Sequence, residues 1–356
     1  NMPGRRSSAG FPCIYMPVTQ FTRTVTTAMA YQPLKPDEKL SSLYVKRASK
    51  ELNEDPKQIA AHLTSLRRWL SSMPHLTCPS DDAFLLAFLR HAKFGHSKAL
   101  KRIDNFCTFR TSEKEGYPSL FQPDDSDLNS YLRMLDMKTM TPLGFADNGA
   151  FCFLVKMANF DVDVISPEKL KQFQQLFNDH LLYDARVQIG GVGMVFDYTG
   201  FSMRQSRAMF KPRNTRLETK YYQEAFPVRV NRMVFFNMPS FFDATYKLIE
   251  PYLKEKIRSR IMMIQDNLQP AFDAFPGLQK LMPKEYGGFN KSFEEIHAEN
   301  RQAMIDLFNN RRHIALAVDE SQRPETSKNL MRAYGELPAE TMGKQGTYVK
   351  FGDDEI

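Results

Sequence analysis

Between residues 149 and 237 the hydrophobic period of the chain switches repeatedly. Phe151–Val155 is a continuous apolar run, residues 167–186 return to helical spacing, and Val192–Phe196 is a second apolar run. Helical spacing over 213–225 and a third run over 230–237 complete the pattern. Short apolar runs alternating with helices are the mark of βαβ units, and strands apolar on both sides are covered on both faces. The fold class expected is therefore α/β, with a mainly parallel sheet flanked by helices.

The segment ahead of it, residues 39–125, is helical in pattern. Ser80 precedes Asp81, Asp82 and the stripe Phe84, Leu85, Phe88 and Leu89, which predicts a capped helix with an acidic first turn. Ser97 is expected to open a second helix carrying Leu100, Ile103, Phe106, Cys107 and Phe109. Both are amphipathic and must bury one face elsewhere. The expected organisation is a disordered leader (1–38), an all-helical amino-terminal domain (39–125), the α/β domain (126–300), a C-terminal helix (301–317) and a disordered, polar tail (318–356). Within the leader, Met29 reads as a more natural start than Asn1, and Pro3, Pro12 and Pro17 break any long amphipathic helix of the transit-peptide kind.

No apolar run approaches the roughly 20 residues that span a bilayer. A net charge of +7 points to anionic partners, either phospholipid headgroups or nucleic acid. The 28 Phe and 19 Met suit an adaptable apolar cavity and suit an ordinary core equally. Cys13, Cys78, Cys107 and Cys152 have no paired spacing, which fits a reducing cytoplasm, and His91 and His96 are too far out of phase to share a metal, so none is expected. The nucleophile elbow, phosphate-binding loop and zinc-protease motifs are lacking. Gly190, Gly191 and Gly193 precede an apolar run rather than a helix, which makes them a turn into a buried strand and not a cofactor loop. Asp197, beside Tyr198-Thr199-Gly200, reads as a turn-capping carboxylate.

Two stretches carry more. Basic residues crowd 204–232 (Arg204, Arg207, Lys211, Arg213, Arg216, Lys220, Arg229 and Arg232), and Lys254, Lys256, Arg258 and Arg260 follow. Such a series is either a solvated face or, if it converges at a sheet edge, a clamp for a multivalent phosphate. Residues 239–250 form an apolar helix, with Phe241, Phe242, Thr245, Leu248 and Ile249 on one face, that must kink or stop at Pro251. It reads equally as a core helix and as a swinging lid.

In order along the chain, these motifs resemble the CRAL-TRIO family, which includes α-tocopherol transfer protein and cellular retinaldehyde-binding protein. DDAFLLAFLRHAKF at 81–94 is similar to the family's amino-terminal helix signature, GVGMVFDYTGFS at 191–202 to its second strand, and FPVRVNRMVFFNMPSFF at 226–242 to the strand leading into its gate helix. PYLKEKIRSRI at 251–261 and LMPKEYGG at 281–288 resemble its closing motifs, so the likeness spans about 45–300. It implies a CRAL-TRIO lipid-binding domain behind a helical one, acting as a non-enzymatic carrier. One small lipophilic ligand (a retinoid, tocopherol, carotenoid or phospholipid) would lie under a gate helix at about 239–250 and exchange at phosphoinositide-containing membranes. The carrier would be a cytoplasmic monomer visiting membrane surfaces, with no cofactor besides its ligand and no nucleic-acid partner. The alternative within the family is a lipid-sensing regulatory or phosphoinositide-binding scaffold protein.

Ligand positions carried over by the resemblance are Phe173, Phe177, Val192, Phe196, Met209, Tyr222, Phe226, Val228, Val230 and Met233, with Phe242 and Thr245 on the gate. Tyr222 or Gln174 would orient a polar ligand end. Phosphoinositide positions carried over are Arg229, Lys256 and Arg260. A further basic position of the family falls on Ala92 here, leaving Arg90 and Lys93 as the candidates to complete that site.

Overall fold

The structure is a computed structural model that describes residues 31, 34, 38–122, 128–311 and 313–325. Leu248 is described in its backbone only. The helical segment comprises α1 (Ser42–Leu52), α2 (Ile59–Ser71), the two-residue strand β1 (Leu76–Thr77), α3 (Asp82–His91) and α4 (His96–Thr111). Asp81, not Ser80, caps α3: its carboxylate accepts from the Phe84 amide at 3.0 Å. α4 begins one residue ahead of Ser97, after Gly95. The aromatic faces of α3 and α4 pack on each other, Phe88 edge to face with Phe106 at 5.5 Å.

After α5 (Leu128–Asp136) come β2 (Met140–Phe145) and β3 (Phe151–Lys156), an antiparallel hairpin. The crossover α6 (Pro167–Leu182) and α7 (Ala185–Gly190) leads to β4 (Val192–Asp197). A second crossover, α8 (Met203–Met209) and α9 (Pro212–Glu224), leads to β5 (Val230–Phe236). The third contains α10 (Phe242–Ile249) and α11 (Glu255–Arg258) and ends in β6 (Ile261–Ile264). α12 (Gln269–Ala274), α13 (Leu278–Leu281), α14 (Phe293–Asn309) and β7 (Ala317–Val318) follow. The main sheet has the order β2-β3-β4-β5-β6 and is parallel from β3 onward. α10 stops at Ile249, and a single 3-10 turn containing Pro251 follows, because proline cannot supply the next helical donor.

In-register partners across neighbouring strands share a face. Cys152, Leu154, Val195, Val234, Phe236 and Ile264 point to one side and bury against Ala271, Phe275, Leu278 and Met282. That side is close-packed: a Cβ on Gly193 would sit 2.4 Å from the Phe275 ring, so only glycine fits there. Gly191 takes φ +76° as the chain leaves α7 and enters β4, the turn into a buried strand that the sequence predicts. The other side of the sheet shares a second core with the amino-terminal helices, through Phe84, Phe88, Phe106, Phe173, Phe177, Tyr221 and Phe226.

Both ends of the described chain hold more structure than a leader and a tail. Tyr31 is buried and its hydroxyl donates to Asp184 at 3.1 Å. α14 starts at Phe293, earlier than expected, with a capping box between Ser292 and Glu295. Residues 318–325, expected to be disordered, are tied down. β7 pairs antiparallel with β1, and the buried Arg323 donates to Asp104 at 2.7 and 2.8 Å and to Thr108 at 2.9 Å. Burial alone would raise the Asp104 carboxyl, but hydrogen bonds from His75 and Arg323 hold it below its ordinary range. The remainder of the leader and of the tail lies outside the described residues.

Candidate functional site

On the face opposite Phe275, strand register groups Phe151, Phe153 and Val155 of β3 with Val192, Met194 and Phe196 of β4. Val230, Met233 and Phe235 of β5 continue the row, and Ile261 and Met263 of β6 end it. Every one is apolar, yet their burial falls across the sheet. The β3 residues are buried, with Phe177 of α6 at 5.4 Å from Phe153. Met194, Phe196, Met233, Phe235 and Ile261 are half-buried, and Met263 is 44% exposed. The helices cover one half of the face and leave the other half open. Above it, α10 is anchored by Phe242, whose ring lies 4.6 Å from Tyr198 and 5.7 Å from Phe235. The Thr245 hydroxyl shares a 2.9 Å hydrogen bond with Ser206 of α8.

Tyr222 of α9 is 38% exposed, and its hydroxyl accepts from Gln175 at 2.8 Å and Asn178 at 3.2 Å. Burial nevertheless pushes its phenol up to about 12. Gln175 and Asn178 therefore orient this tyrosine.

Beside the sheet edge lies a cationic cluster. Burial, and then the charges of Arg260, Lys93, Arg229 and Lys98, lower the pKa of Lys256. Burial followed by Arg229 and Arg232 does the same for Arg260. His91 is held well below the imidazole range by burial and then by Arg102, Lys256, Arg229 and Arg260. Several cations acting on one lysine and one arginine mark a concentration of positive charge at this edge. Lys256 and Arg260 do not share a helix, because α11 ends at Arg258. The turn into β6 brings them together, and the Arg260 guanidinium donates to the Val230 carbonyl. Arg229 donates to the Ile189 carbonyl at 2.8 Å and to Glu51 at 2.9 Å.

Residues 135–288 match the CRAL/TRIO domain. Those residues form a CRAL-TRIO domain. Mouse (Mus musculus) clavesin-2 is 27% identical over 253 residues, covering 70% of this chain and 75% of the relative. Rat (Rattus norvegicus) clavesin-1 is 28% identical over 250 residues, covering 70% and 69% respectively. The crystal structure of Sfh5 aligns with a TM-score of 0.40 at 15% identity, over 76% of this chain and 99% of that one.

Within this CRAL-TRIO domain, the ligand positions carried over by resemblance separate into three groups. Phe196, Met209, Val230 and Met233 are half-buried and Tyr222 is partly open. Phe173, Phe177, Val192, Phe226 and Val228 are buried in the shared core. Phe242 and Thr245 belong to α10 and are buried. Met194, Phe235, Ile261 and Met263 escaped the sequence reading, although period-two alternation from Phe196 and Met233 pointed to Met194 and Phe235.

Of the two candidates that the resemblance offers beside Ala92, Arg90 is turned inward. Its guanidinium is buried and donates to Glu54 at 2.7 and 2.8 Å and to Gln188 at 2.6 Å. Lys93 is exposed and contributes to the field at Lys256. No described helix is long and apolar enough to cross a membrane. No group of three or more His, Cys, Asp or Glu among the described residues is placed to hold a metal.

Proposed function

We propose that this CRAL-TRIO protein is a non-enzymatic carrier of one small lipophilic molecule, held between the β4–β6 face and α10 and exchanged at phosphoinositide-containing membranes. The observation that carries the reading is the fall in burial along one all-apolar sheet face. Six apolar side chains, Met194, Phe196, Met233, Phe235, Ile261 and Met263, keep accessible surface where a core would have none. Covering apolar surface is worth about 25 cal/mol per Å², so a long lipophile has a strong reason to enter. Organic extraction of the purified protein followed by mass spectrometry should recover one lipophile per chain, chemically unaltered. Extracts with no stoichiometric lipophile would end the reading.

The membrane half rests on Lys93, Lys256, Arg229 and Arg260. Lys93→Glu/Lys256→Glu changes two exposed side chains, so the fold should tolerate it. Each cation near an anionic surface is worth about 1 kcal/mol, so losing two and gaining two carboxylates should weaken binding to phosphoinositide vesicles by at least roughly thirtyfold. Transfer of ligand to those vesicles should slow, while affinity for ligand in solution stays unchanged. Equal vesicle binding by both proteins would leave the cluster as a solvated face.

A further inference from the structure

The cationic cluster does not end at Arg229. On α1, Arg47 donates through Nε to Glu51 Oε1 at 2.8 Å, while Arg229 donates to the other oxygen, Oε2, at 2.9 Å. One carboxylate thus sits between an arginine of the first helix and an arginine of the sheet domain. Arg229, Arg47 and their hydrogen bonds hold Glu51 below its usual range against the opposing effect of burial. Glu51 is also a counter-charge that offsets the cations around Arg260. On the α1 side of Glu51, a shallow cavity of about 360 Å³ is lined by Lys46, Arg47 and Lys50 together with Leu43 and Asn148. Lys46 and Lys50 have no carboxylate partner among the described residues.

We infer that Glu51 is a resident counter-anion dividing one cationic trough into two phosphate subsites, the first at Arg229, Lys256, Arg260 and Lys93, the second at Arg47, Lys46 and Lys50. The inference rests on the membrane reading above and adds a regulator to it. A singly phosphorylated headgroup fills the first subsite and leaves the Arg47–Glu51–Arg229 bridge intact. A headgroup with two or more phosphates reaches the second subsite, draws both arginines onto phosphate oxygens and displaces the carboxylate. Arginine forks suit this exchange, because carboxylate and phosphate offer the same pair of acceptors. Glu51 therefore acts against anions in general and yields to the more highly charged ones. Because it joins α1 to the chain segment entering β5, its displacement also loosens that contact.

The test uses the full chain and two probes: phosphatidylcholine vesicles carrying a bisphosphorylated phosphoinositide, and a water-soluble inositol bisphosphate. Glu51 is 38% exposed in its side chain, so Glu51→Gln should fold normally, with the melting temperature as control. Glu51→Gln should bind both probes about fivefold more tightly, the equivalent of one repulsive charge removed near the site. Tighter binding to vesicles alone would assign the source to a lipid headgroup and still support the counter-anion. Lys46→Glu/Lys50→Glu should weaken bisphosphate binding and spare a monophosphorylated headgroup. Unchanged or weaker binding by Glu51→Gln would make Glu51 a mere strut and overturn the inference. If Lys93→Glu/Lys256→Glu weakens vesicle binding while Glu51→Gln has no effect, only the inference falls. Binding by neither wild type nor Glu51→Gln overturns both it and the membrane reading.

Discussion

Met233→Trp should abolish loading of the lipophile while leaving the protein folded. Met233 lies in the middle of the open half of the sheet face, flanked in register by Met194 and Ile261. All three are half-buried, so an indole there extends over accessible apolar surface rather than into a closed core. The contrast is Phe153→Trp, on the same face and one strand beyond Met194, where Phe151 and Phe177 already surround the ring at 4.9 and 5.4 Å. Overpacking a closed core costs about 1–3 kcal/mol, so Phe153→Trp should lower the melting temperature, whereas Met233→Trp should hardly move it. Val228, which by resemblance belongs to the pocket, is a poorer site for the experiment because it is buried in the shared core. Lipophile recovered by extraction from each purified variant gives the readout. Full occupancy in Met233→Trp would move the ligand away from β4–β6.

The legible parts of the fold were those whose signal is local. β3, β4 and β5 lie inside the sheet, and each carries a short apolar stretch: Phe151–Val155, Val192–Phe196 and Met233–Phe236. β2 was missed because it is an edge strand with Pro142 and Gly144 inside it and a register shift between them. β6 was missed because its four residues follow the basic turn of α11 and read as the end of a helix. The basic cluster was legible as charge, but which cations are free was not. Arg90 and Lys93 are equivalent in sequence, and what separates them is Glu54, 36 positions earlier, which draws Arg90 inside. Glu51 meets Arg229 across 178 positions, a pairing no spacing rule encodes. The candidate ligand residues were legible by period two as a face, whereas its closed and open halves depend on where the helices stop.

Removing a single carboxylate, Asp179→Ala, should produce the largest loss of stability. Asp179 on α6 receives both terminal nitrogens of Arg110 from α4, at 2.6 and 2.7 Å, and both side chains are buried. Burial alone would lower the Arg110 pKa, yet the charge and hydrogen bonds of Asp179, together with Tyr221, outweigh it and hold the guanidinium above its ordinary value. The cation is further enclosed by the rings of Phe121 and Phe106, 4.3 and 4.9 Å from its central carbon. Alanine at 179 strands that charge in an apolar setting, which costs about 3–5 kcal/mol. For a chain of this size such a loss lowers the melting temperature by on the order of 10 °C. The effect belongs to the unpaired ion and not to the lost bond, so Arg110→Met/Asp179→Leu should recover most of the stability. Urea unfolding of the wild type and the two variants separates these terms. A loss under about 1 kcal/mol in Asp179→Ala would mean that water already reaches Arg110. The consequence extends beyond stability, because α4 also carries Arg102, which donates to the Gln223 and Phe226 carbonyls at 2.7 and 3.0 Å. That helix fixes the end of α9 and the approach to β5, so loosening α4 from α6 should shift the Arg229 side of the cationic trough and weaken vesicle binding together with the fold.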